Sequence, residues 1–205
     1  LPPGAVPYRV MAEPANFKGR QALRVALAEA LRNGRPGVDF GDTASFVLLP
    51  IAFRSGTIEV DVLGRLLPKA PADARAFAGL AYRIADDKSK FESVYLRPLN
   101  GLKTNPTPPR DKRAVQYFAY PDWRFGRLRE AYPDGRYEAG ANIAGDEWIT
   151  LKLDIGNDSV RASVNGTEQL VVREPKAAPM TGAVGLWVDI GTEGYFSNLR
   201  VTQRT

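Results

Sequence analysis

With 205 residues, 44% of them hydrophobic, the chain is long enough for a real core, and β-sandwiches of this size often form one unit. It holds no Cys and no His, which excludes disulfides, thiolate or imidazole metal sites, a Ser-His-Asp triad and any imidazole base. Acid–base chemistry is left to carboxylates, Tyr or Lys; any metal would be a hard cation held by oxygens, calcium first; and a net charge of +5 without a dense Lys/Arg block does not point to nucleic acid.

The opening LPPGAVPYRV has neither the charged region nor the apolar stretch of an export signal. No run in the chain approaches the roughly 18 apolar residues of a membrane span. Period-two alternation in short runs, punctuated by Gly, Pro, Asn and Asp, dominates from there on. Residues 8–12, 21–27 and 44–49 are the first candidate strands. Residues 22–34 also read as a helix ending at Asn33-Gly34, because Leu23, Leu27 and Leu31 are spaced by four; the alternation of Leu23, Val25 and Leu27 favours a strand followed by a short helical or turn segment.

Residues 57–63 alternate cleanly, Ile58, Val60 and Val62 against Thr57, Glu59 and Asp61. Candidate strands follow at 76–84, 91–97 and 114–120, with Pro-rich loops at 67–72 and 104–110. A long connector after Pro121 carries Trp123, Arg124, Phe125, Arg127, Arg129, Tyr132, Tyr137 and Glu138. Residues 148–155, 159–164 and 169–172 form a meander, its turns at Gly156-Asn157-Asp158 and at Asn165-Gly166, a type I′ pair. Both turns match the glycosylation acceptor pattern, which we read as turn chemistry. Strands at 182–191 and 195–202 complete about a dozen, which predicts a single all-β domain over residues 1–205 built of two packed antiparallel sheets.

Function is sought where side chains exceed what the scaffold requires. In KFESVYLRPLNG, strand parity puts Tyr95 and Arg97 on one face and the core residues Val94 and Leu96 on the other. In the strand before it, Gly79, Ala81 and Arg83 share a face, and small residues beside an Arg suit a groove floor. Gln116 alternates with Val115 and Tyr117 in the next strand. Aromatic faces with forked Arg, Gln and Asn donors suit a polyhydroxylated or anionic ligand. The expected floor is thus Tyr95, Arg97 and Gln116 with Arg83, Glu59 and Asp61. The expected rim is Asn100, Trp123, Arg129, Tyr137 and Glu138. The competing reading makes Tyr95 and Arg97 a plain surface stack, and makes Trp123, Phe125 and Leu128 an apolar cluster that pins the connector.

The order FRSGTIEVDV, GLAYRI, VYLRPLNG, VQY, EWITLKLDI, VNG and GAVGLW…YFSNLRV resembles bacterial concanavalin A-like proteins grouped with laminin-G-type and 3-keto-disaccharide hydrolase-type domains, across most of residues 40–202. The resemblance implies a jelly-roll of two curved sheets, a carbohydrate ligand in a groove on the concave sheet, and a periplasmic or secreted location. Glu59-Val60-Asp61 matches the paired carboxylates on a laminarinase-type strand, but the run continues to Gly64 without the third acid. The leading expectation is a binding protein for a saccharide or related anionic small molecule. The alternative is a glycoside hydrolase pairing Glu59 or Asp61 with Glu130 or Glu138, or a lyase with Tyr95 as base beside Arg97. A third reading uses Trp123 and Phe125 as a protein-binding patch.

Overall fold

The computed structural model describes residues 1–204. The chain runs through β1 (Val6–Tyr8), β2 (Val10–Phe17), β3 (Arg20–Leu27), β4 (Phe46–Phe53), β5 (Gly56–Leu66), β6 (Ala78–Ile84), β7 (Phe91–Leu96) and β8 (Val115–Tyr120). A short helix α1 (Phe125–Ala131) precedes β9 (Glu138–Ala139), β10 (Ile149–Ile155), β11 (Val160–Val164), β12 (Thr167–Val172), β13 (Gly182–Val188) and β14 (Thr192–Gln203). Two seven-stranded antiparallel sheets result: β1-β4-β13-β6-β7-β8-β9 and β12-β11-β10-β5-β14-β3-β2. This is the all-β, concanavalin A-like jelly-roll sandwich that the alternation and the resemblance predicted.

Alternation builds the core. Ile58, Val60 and Val62 of β5 and Leu151 and Leu153 of β10 are buried against Leu80, Val94, Tyr117 and Leu186 of the first sheet. The meander forms as expected, with Asn165 and Gly166 both at positive φ between β11 and β12. Residues 20–27 are strand, and the helical signal survives only as a 3₁₀ turn at Glu29–Leu31.

Two differences have local causes. Arg9 adopts φ +61°, so the expected strand at residues 8–12 breaks there, β1 joining the first sheet and β2 the second. Strand β4 continues through Pro50 to Phe53, beyond the predicted end at residue 49. Its neighbour β1 pairs only with Phe46, Val47 and Leu48, so Pro50 lies on an open edge where no ladder N–H is required.

One transverse row positions the site. Phe46, Trp187, Gly79, Tyr95, Gln116 and Glu138 are successive cross-strand partners from β4 to β9 and therefore share the outer face of the first sheet. Gly79 is required by close approach, since a Cβ there would sit 2.4 Å from the Tyr95 Cα. The Tyr95 ring crosses that gap to pack on Trp187, centroids 4.6 Å apart. A loop over residues 36–42 and helix α1 cover this part of the sheet.

Candidate functional site

Between that covering and the sheet lies a cavity of about 530 Å³. Its wall includes Tyr95, Asn100, Phe77 and Phe125, six arginines (Arg75, Arg97, Arg110, Arg113, Arg124 and Arg129) and three aspartates (Asp42, Asp73 and Asp189). A larger depression of about 680 Å³, lined by Leu23, Leu49, Val60 and Leu186 among others, has no titratable side chain on its wall. The smaller, charged cavity is the candidate site.

Tyr95, Arg97 and Gln116 converge as parity predicted. Arg97 Nη2 donates to the Tyr95 hydroxyl at 2.8 Å and to Gln116 Oε1 at 3.1 Å. Gln116 lies beneath the cavity, its Nε2 donating to the carbonyls of Tyr117 and Tyr137. Glu138 gathers three arginines: Arg129 bidentate at 2.7 and 2.9 Å, Arg97 at 3.5 Å and Arg113 at 3.8 Å. The Arg97 and Arg129 guanidiniums lie 5.5 and 5.0 Å from the centroid of the Phe125 ring. Asn100 is only 4% exposed; its Nδ2 donates to the Arg113 carbonyl at 3.0 Å, while its Oδ1 has no partner.

Two carboxylates that sequence reading missed stand behind Tyr95. Asp42 accepts the Tyr95 hydroxyl at 3.0 Å and the Phe125 N–H at 2.9 Å. Asp189 accepts the N–H groups of Gly41, Asp42 and Ile190 at 3.0, 2.9 and 2.7 Å. Burial, reinforced by Asp189, pushes Asp42 up to about 6 against the pull of the Phe125 N–H, Arg97 and Tyr95. Burial raises Asp189 as well. The Tyr95 phenol rises well above its ordinary value, chiefly by burial, with Arg97 opposing. That direction keeps the phenol protonated, contrary to the general base that the lyase alternative needs.

The remaining expected residues lie elsewhere. Glu59 and Asp61 stand on the outer face of the second sheet, across the sandwich from the cavity. Glu59 pairs with Arg200 at 2.6 Å, and Asp61 accepts bonds from Arg20 at 2.6 Å and Thr150 at 2.7 Å. Neither can oppose Glu130 or Glu138 across a groove. Arg83 leaves the expected face because β6 bulges: Tyr82 and Arg83 stand where β13 offers only Val184, and Arg83 takes φ +52°. Its guanidinium is buried against Glu92 at 3.0 Å, with Nε donating to the Arg54 carbonyl and Nη2 to that of Gly156.

Trp123 is held outside the cavity, its ring centroid 3.8 Å from the Arg127 guanidinium and 4.5 Å from the Lys176 ammonium. Tyr137 packs on Tyr117 and Tyr132, its hydroxyl donating to the Glu174 carbonyl. Trp123 and buried Leu128 thus pin the connector, whereas Phe125 faces the site. Among the described residues no three Asp or Glu side chains group as metal ligands, and no helix is long and apolar enough to cross a membrane.

No family model and no curated protein sequence matches the chain. Solved structures do match in fold. A carbohydrate-binding module, CBM66, from Bacillus subtilis aligns over 93% of each chain with a TM-score of 0.56 at 14% identity. A galectin-like protein of unknown function from Bacillus subtilis gives 0.55 over 96% of this chain and 90% of that one, at 11% identity. A β-glucanase from Bacillus licheniformis gives 0.50 over 96% and 83%, at 13% identity. At such identities the likeness is one of architecture, shared by lectin-like, carbohydrate-binding and hydrolytic proteins.

Proposed function

We propose that the protein binds a saccharide in the cavity under residues 36–42 and α1. The observation that carries this reading is the Asn100 amide, buried on the cavity wall with Oδ1 lacking a hydrogen-bond donor. A buried acceptor without a partner costs about 1–3 kcal/mol, which a ligand hydroxyl recovers on binding. Phe77 and Phe125 supply apolar faces for a sugar ring, and the arginines supply forked donors. The likeness in fold to the carbohydrate-binding module of Bacillus subtilis supports the same class of ligand. Asp42 and Asp189 have their oxygens committed to backbone N–H groups and to Tyr95, which favours holding a ligand over hydrolysing it. The exported location implied by the family resemblance belongs to the same proposal and is read by cell fractionation.

A glycan array followed by calorimetry on the strongest hits tests the reading. Asn100→Ala is expected to weaken binding about tenfold, while Glu59→Gln, on the far face, leaves it unchanged. Absence of any saccharide ligand, or equal affinity in wild type and Asn100→Ala, removes the proposal.

A further inference from the structure

The cavity has more positive charge than its own carboxylates neutralise. Among the described residues, Arg75, Arg110 and Arg124 have no carboxylate within salt-bridge distance, and Arg110 makes no side-chain hydrogen bond at all. Arg75 and Arg124 are spent on carbonyls, of Ala72 and Ala74 and of Gly37, Gly41 and Pro121. Arg113 reaches only Glu138, at 3.8 Å, and Glu138 is already held bidentately by Arg129. These cations also repel one another. Arg75 is pushed down by burial and by Arg110, with Asp73 opposing. Arg113 is pushed down by burial, Arg129, Arg97 and Arg110, with Glu138 opposing. Like charges packed on one wall raise the potential there and favour an anion that bridges them.

We propose that the saccharide bound here carries an oxyanion, a ring carboxylate or a sulfate ester, seated among Arg75, Arg110 and Arg113 while a neighbouring ring hydroxyl donates to Asn100 Oδ1. The inference rests on the reading of the cavity as a saccharide site and narrows its ligand class. Planar guanidinium forks match both carboxylate and sulfate oxygens, so the two chemistries share one recognition geometry. Asp42 and Asp189 are acceptors already satisfied by two or more hydrogen bonds each, so neither carboxylate holds the anion. The anion belongs on the Arg75–Arg110–Arg113 side, and Asn100, bonded to the Arg113 carbonyl, fixes where the hydroxyl must fall.

Calorimetry on the full chain with trigalacturonate, its methyl ester, a sulfated disaccharide and inorganic sulfate tests the inference. The expected result is that trigalacturonate or the sulfated disaccharide binds at least about tenfold more tightly than the ester, with affinity falling as salt is raised. Arg110→Gln and Arg75→Gln each reduce that affinity about tenfold and leave the ester unaffected; whichever acidic ligand is tighter identifies the source of the oxyanion. If neither trigalacturonate nor the sulfated disaccharide binds more tightly than the ester, the inference is overturned while saccharide binding stays intact. Inorganic sulfate binding as tightly as the sugars overturns it as well, since the ring is then not read. If none of these sugars binds but the glycan array yields a neutral saccharide, the inference falls and the saccharide reading stands; if the array is also empty, both fall.

Discussion

Replacing Asp42 by Asn isolates the one carboxylate whose ionisation the fold most opposes. In the native protein this group titrates near 6 rather than at 3.8, because burial and the neighbouring Asp189 disfavour its charge more than Tyr95, Arg97 and the Phe125 N–H favour it. A raised native value means that the folded state holds the proton more tightly than the unfolded chain does. The associated stability is complete below about pH 3.8 and is lost as pH climbs through about 6. Two units at 1.36 kcal/mol each amount to about 3 kcal/mol. Other carboxylates titrate in the same range, so the informative quantity is the difference in unfolding free energy between wild type and Asp42→Asn. Urea melts followed by Trp fluorescence, at pH values from about 3.5 to 7.5, measure it; Trp187 lies against Tyr95 and reports directly on this region. The wild type is expected to lose about 3 kcal/mol relative to the variant across that interval. A wild-type stability that stays level with, or rises relative to, that of the variant as pH increases refutes the reasoning, because Asp42 then titrates no higher in the folded protein than in the unfolded chain.

Glu92→Gln leaves the Arg83 guanidinium buried without its counter-charge, both side chains being 1% exposed, and should cost about 3–5 kcal/mol in chemical denaturation. Combining it with Arg83→Met should recover much of that loss. Tyr82 is fully buried with a hydroxyl that has no partner, so Tyr82→Phe is expected to stabilise the protein by about 1–3 kcal/mol, seen as a higher Tm. Gly79→Ala places a Cβ against the Tyr95 backbone and the Val94 carbonyl at 2.4 Å; calorimetric unfolding should show a loss above about 3 kcal/mol, and a smaller one would mean that β6 can move away from β7.

Strand parity carried much of this site, because it depends only on neighbours in sequence. Tyr95 and Arg97 fall on one face by alternation, and Gln116 joins them once β8 pairs with β7 in the expected sense. Parity failed at Arg83, where a bulge adds a residue and turns the side chain toward Glu92; nothing in AGLAYRI marks that bulge. Glu59 and Asp61 were assigned correctly to the outward face of their strand, but parity does not say which of two sheets a strand enters, and β5 entered the other one. Asp42 and Asp189 were illegible for a different reason. Each sits beside a strand end in a short Gly-containing segment, and only the folding of residues 36–42 over the end of β13 brings them together. Arg110 closes the Pro-rich loop at 104–110, and Arg75 and Arg113 stand one residue ahead of the predicted strands at 76–84 and 114–120, where alternation assigns no face.

One carboxylate, Asp189, stitches the covering loop to the scaffold by accepting the N–H groups of Gly41 and Asp42 as well as that of Ile190. Ordering the backbone of such a loop costs about 1–2 kcal/mol per residue, and here that cost is met during folding. A molecule arriving at the cavity does not have to freeze its walls, so less of its interaction energy is consumed in organising the protein. Preorganisation of this kind lets a small ligand with few contacts bind firmly, and shifts selectivity onto the shape and charge that already stand in place.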